Sequence, residues 1–253
     1  MLQIQASKII HEKMCLTRLF MKQAGVVKWC VCAGAWGAGL WWLYGAKTVG
    51  RAAEDVLTIC LCGYTGNLIY IAAYVILALL PTIASLFFLK KGICEEYYYV
   101  RVSSKRSVTW ARIGVIIRLT MLMELFQLLT LTGAALVHKI LPLRADTVKL
   151  IFVFWGKLVL PRIVLSLFLY LWISLSEEPI VFCDIAVLII TLERIVKGAM
   201  PDTWITSLDV TQIGKPEIWI NILLTLICIT ILTTLESKRD VISEGDMEKN
   251  ESG

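Results

Sequence analysis

The sequence predicts an all-α fold: a polytopic helical membrane protein with six transmembrane helices. Three observations lead there. Hydrophobic residues make up 58% of the 253-residue chain and charged residues 18%, against about 45–50% and about 25% in soluble domains. The apolar residues fall in blocks near the ~20 residues that carry a helix across a bilayer. Most tryptophans stand at the edges of those blocks, where an apolar ring with one N–H donor suits the headgroup level. These features exclude an ordinary cytosolic enzyme, a disordered chain and a small disulfide scaffold.

The first element, 1–24, is basic and amphipathic. Ile9, Ile10, Cys15, Leu16, Leu19 and Phe20 alternate with Lys8, Arg18 and Lys22 at roughly helical spacing, which predicts a helix along the cytoplasmic membrane surface. Its long charged region and the lack of an A-x-A site argue against a secretory signal. Span one is predicted over 25–45. It carries three small-xxx-small pairs, Ala33/Gly37, Gly34/Ala38 and Ala35/Gly39, the pattern of a close helix–helix face. The other spans are predicted over 67–89, 113–137, 150–175, 179–194 and 217–236. Segment 56–66 either lengthens span two or lies at the interface. Pro81 and Pro161 fall inside spans two and four, where a missing N–H kinks a helix. The tail, 237–253, reads as cytoplasmic and disordered.

Lys and Arg set the orientation. With the N-terminus inside, fourteen fall on inner segments, grouped within 8–28, 90–112 and 238–249, and eight fall on outer ones. The count places both termini in the cytoplasm of a multi-pass plasma-membrane protein. The net charge of +5 then reflects loop topology, and no nucleic-acid partner is expected.

Catalytic signatures are absent. There is no P-loop, no H-E-x-x-H and no G-x-S-x-G. The two histidines, His11 and His138, stand far apart. The pairs Cys30/Cys32 and Cys60/Cys62 lack zinc-site spacing, so no metal is expected and the thiols read as small buried hydrophobes. What remains is charge at membrane depth, which is costly in lipid and marks protein-lined or hydrated positions. Counting along the spans matches Glu124 with Arg162 near the centre, and Arg118 with Asp184 in the inner third. Lys157 falls in the outer third.

The longest inner loop, 90–112, reads KKGICEEYYYVRVSSKRSVTWAR. In order, it offers Glu95 or Glu96, then Tyr99-Val100-Arg101, then Ser103-Ser104-Lys105-Arg106, then Arg112. A helix is predicted to restart near Ser107. Further on, Pro201-Asp202-Thr203-Trp204 and Ser207-Leu208 precede the last span, and Lys238-Arg239-Asp240 come directly after it. In this layout the chain resembles the ABC-2 type permeases, the membrane subunits of a class of bacterial ABC transporters. Tyr97-Tyr98 stand where that family's loop often has Gly-Thr, which leaves the register of the coupling helix open.

The resemblance implies a permease subunit of an ATP-driven exporter. It implies that 1–24 is a connecting helix, that 25–236 form the six-span domain, and that the chain pairs with a second permease, identical or related. ATP would be bound and hydrolysed by a separate cytoplasmic ABC ATPase, so this chain would be no enzyme and would hold no cofactor. Contact with the ATPase would fall to Glu95, Glu96, Tyr98, Arg101 and Arg106, with Glu177 and Glu178 at a second inner turn. The cargo would be a drug, a lipid-linked or polysaccharide species, or an antimicrobial peptide, with a lean toward peptide or bacteriocin export and self-protection. The alternatives are a non-transport membrane protein, such as a bacteriocin-immunity factor or sensor anchor, then an intramembrane enzyme, then an ion-driven transporter using Glu124 or Asp184.

Overall fold

The computed structural model describes residues 14–45, 50, 56–57, 60, 68–91, 105–141, 145–176, 178–195 and 219–235. Among them all regular structure is helical. The helices are α1 (14–23), α2 (Val26–Tyr44), α3 (Leu68–Lys91), α4 (Lys105–Val137), α5 (Ala145–Leu175), α6 (Pro179–Ile195) and α7 (Trp219–Leu235). Three are long and apolar enough to cross a membrane, over Val26–Tyr44, Arg106–Val137 and Asp146–Leu175. The last two helices, α6 and α7, have 17 residues each. At 1.5 Å per residue that is about 26 Å, a little short of the ~30 Å hydrocarbon core.

The amphipathic N-terminal segment is helical from residue 14; residues 1–13 lie outside the described residues. Thr17, Phe20 and Ala24 are buried while Cys15, Arg18, Leu19 and Lys22 are exposed. Phe20 meets Phe88 of α3, ring to ring at 6.0 Å. Thr17 lies under Gly114 of α4, within van der Waals reach of a Cβ placed there. The chain turns from α1 into α2 at Gly25, whose φ of 64° is left-handed, a conformation that only glycine adopts without a Cβ penalty.

Two apolar clusters set the helix directions. One gathers Phe20 of α1, Phe88 near the end of α3, Val108 to Ile116 at the start of α4, Val159 to Tyr170 of α5, and Cys228 and Leu232 of α7. The other gathers Leu40 to Tyr44 at the end of α2, Val75 and Leu79 of the first half of α3, Leu128 to Ala135 at the end of α4, and Phe154 and Leu158 early in α5. By this placement α2, α3, α4 and α5 alternate in direction, each antiparallel to the one before. The buried Val56, Leu57 and Cys60 pack in this second cluster.

α4 begins at Lys105, close to the restart predicted near Ser107 and ahead of the apolar block at 113; its first turns are amphipathic and packed, with Ser107, Val108, Thr109 and Ala111 buried while Arg106 and Trp110 are exposed. α5 begins at Ala145, five residues before the apolar block. Pro81 and Pro161 each lie inside a continuous helix.

Candidate functional site

Among the described helices α2 packs most extensively along α4, and the small residues of α2 are the reason. Ala33, Gly34 and Gly37 are buried against α4. A Cβ on Gly37 would overlap the Gln127 carbonyl and the Thr130 hydroxyl, and one on Gly34 would come within 3.2 Å of Thr130. The small-residue face is thus used within the chain. Gly39, on the other side, has nothing within 4 Å.

This approach fixes the α4 stripe that carries the polar residues. Thr120, Glu124 and Gln127 stand at i, i+4 and i+7, one helix face, and all three are buried. Across from them Arg162 of α5 donates from Nη1 to Glu124 Oε1 in an ion pair whose side chains are 4% and 1% exposed. One turn along α5, Ser166 and Thr82 of α3 are joined by a hydroxyl–hydroxyl hydrogen bond of 3.4 Å. Ser85 donates to the Pro81 carbonyl at 2.9 Å. On the α5 side, Trp155 Nε1 donates to the Met121 carbonyl at 3.0 Å. A polar core thus links α3, α4 and α5 between the two apolar clusters.

The depth argument that matched Glu124 with Arg162 meets an ion pair here. Its second pairing, Arg118 with Asp184, is corrected: both residues are exposed and no ion pair joins them. The reason is azimuth. Arg118 precedes Glu124 by six residues, which at 3.6 per turn turns it about 120° away from the buried stripe. Asp184 stands two residues from both Phe182 and Ala186, through which α6 packs, so it points away from the bundle. The Lys157 side chain, and the loop residues Glu95, Glu96, Tyr98 and Arg101, lie outside the described residues, as does Glu177.

Two expected contact residues are described, and both are exposed. Arg106 is in the first turn of α4. Glu178 lies in the short turn between α5 and α6, where its N–H donates to Ser176 Oγ at 3.3 Å and its carbonyl accepts from Trp172 Nε1 at 3.1 Å. His138, in the turn after α4, is exposed and stacks on Trp41 at 5.7 Å, far from Glu124 along the chain. Among the described residues no three His, Cys, Asp or Glu gather to hold a metal. Sequence reasoning missed Thr120, Gln127, Thr82 and Ser166. The signal was present in the i, i+4, i+7 spacing around Glu124 and the i, i+4 spacing of Arg162 and Ser166.

No protein-family model, no curated protein and no solved structure matches the chain.

Proposed function

We propose that the chain is the six-span permease subunit of an ATP-driven exporter of the ABC-2 type, working with a separate cytoplasmic ATPase and a second permease. In this reading α2 to α7 are the spans and both termini are cytoplasmic. One observation carries it: α4 is a single helix of 33 residues from Lys105 to Val137. It starts at the end of the basic inner loop and holds Glu124 against Arg162 about 28 Å further on, at 1.5 Å per residue. A push on the loop therefore reaches the membrane centre through a rigid rod, the kind of element that passes a switch between sites. α1 supports the same end, wedged against α3 and α4 through Phe20 and Thr17.

The order of residues in 90–112 supports the family reading, and Arg106 and Glu178 are exposed, as partner contacts need to be. Export of a peptide or drug, with self-protection of the producing cell, is the cargo reading that goes with it. The test is a mild-detergent pull-down of the chain from its native membranes, with mass spectrometry of the co-purifying proteins. A stoichiometric ATPase, lost in the Glu96→Ala/Arg101→Ala variant, is the expected result. No ATPase under conditions that keep other membrane complexes intact would move the assignment to an immunity factor or sensor anchor.

A further inference from the structure

Two charges on the helices read above as spans face away from the bundle. Arg118 of α4 and Asp184 of α6 are both exposed. Neither has a hydrogen-bond or ion-pair partner among the described residues. Ionisable side chains at membrane depth ordinarily face protein or water and pair with one another, because hydrocarbon offers them no partner. Their depths agree. Glu124 and Arg162 mark one level, and Arg118 lies six residues from it toward the start of α4, about 9 Å at 1.5 Å per residue. Trp172 lies ten residues past Arg162 on antiparallel α5, about 15 Å in the same direction. Phe182 of α6 meets Trp172 across the turn, ring to ring at 6.1 Å. α6 therefore doubles back along α5, and Asp184 sits about 12 Å from the ion-pair level. Helix side chains lean toward the N-terminal end, which carries the long Arg118 side chain over the remaining distance.

Opposite charges at one depth, on different helices of one chain, are complementary between copies. A lipid phosphate answers Arg118 but not Asp184. A second copy inserted the same way answers both. The two copies are related by an axis along the membrane normal, so residues meet only at equal depth, and a two-fold contact puts residue i on j and j on i. We propose that the chain forms a homodimer in the membrane through two reciprocal ion pairs, Arg118 of each copy with Asp184 of the other. The proposal rests on the reading of α4 and α6 as spans, and it makes the second permease an identical chain. Apolar surface does not drive helices together in lipid, so polar pairs and close packing set the contact. α3 packs against both α4 and α6, which places the two charged helices beside one neighbour. α6 leaves Ile180, Ile185 and Leu188 exposed around Asp184.

The test is energy transfer between full-length chains carrying a donor or an acceptor fluorescent protein at the C-terminus, reconstituted in liposomes without any ATPase and diluted with lipid. The natural chain is expected to be a dimer. Arg118→Asp alone and Asp184→Arg alone should each need roughly tenfold more protein per lipid to associate, because each sets like charges face to face. Mixed together, the two variants should recover to within about twofold of the natural chain, since each then meets opposite charge at both contacts. That recovery also shows that both variants fold. Should a reversal fail to insert, Arg118→Gln and Asp184→Asn replace it, and each should weaken association. A monomeric natural chain, undiminished association in the single variants, or a mixture of inserted variants that stays apart would each overturn the proposal. The outcome is separable from the exporter reading. A dimer with no co-purifying ATPase keeps the ion pairs and loses the exporter, whereas a monomer with a co-purifying ATPase keeps the exporter and calls for a related second chain.

Discussion

At the scale of single residues, the energetics centre on Glu124 and Arg162. Removing one partner strands the other charge in a dry interior, which typically costs about 3–5 kcal/mol. Glu124→Ala and Arg162→Ala should each lower the unfolding midpoint in detergent sharply. Glu124→Leu/Arg162→Leu should lose clearly less than the two single losses combined, because it removes both charges together. Equal or larger loss in the double variant would show that the pair is not coupled. Two glycines make a second comparison. Gly37→Ala drives a methyl into the Gln127 carbonyl, and overpacking of this kind costs about 1–3 kcal/mol. Gly39→Ala enters open space and should leave the midpoint within error. Residue-scale legibility in the sequence was half complete. Counting along spans gives height, and height matches Glu124 to Arg162. Azimuth needs the packing partner of each helix, so Arg118 and Asp184 were matched in height while facing outward.

At the scale of elements, the apolar blocks were legible because lipid demands continuous stretches with all backbone groups satisfied within the helix. The threonines of α7 keep that rule: Thr225, Thr230, Thr233 and Thr234 each donate to a carbonyl four residues back, at 2.8–2.9 Å. The start of α4 was less legible, since Lys105 to Arg112 has no apolar run; its buried residues sit in the cluster that also holds Phe20 of α1, Phe88 of α3 and residues of α5 and α7. The amphipathic pattern predicted a helix over 1–24; its described part is helical over 14–23, with Phe20 as its anchor. Truncating a buried aromatic costs about 3–5 kcal/mol. Phe20→Ala should therefore release α1 from the bundle before the rest unfolds. Hydrogen exchange would rise across 14–23 while α4 and α5 stay protected; uniform exchange throughout would show that α1 is not a separable element.

At the scale of the whole molecule, two apolar clusters and the ion pair buried among them hold α2 to α5 as an antiparallel bundle. Combined with the Lys/Arg asymmetry, this gives a topology that chemistry can check. Cysteine at Lys139, in the exposed turn after α4, should react with an impermeant thiol reagent on intact cells. Cysteine at Arg106, at the other end of the same helix, should react only after permeabilisation. Reversed labelling would invert the orientation and put the 90–112 loop outside, beyond reach of any ATPase. The proposed partner rests only on an order of residues in that loop, and short polar motifs carry far less information than a helix of apolar residues. The most direct measurement is therefore photocrosslinking in native membranes, with a photoreactive amino acid at Tyr98 and, separately, at Arg106. The account predicts an adduct from both positions to one cytoplasmic protein bearing a Walker sequence. It is contradicted if both positions yield only lipid adducts or none, while the same group at Phe88 still crosslinks within the bundle.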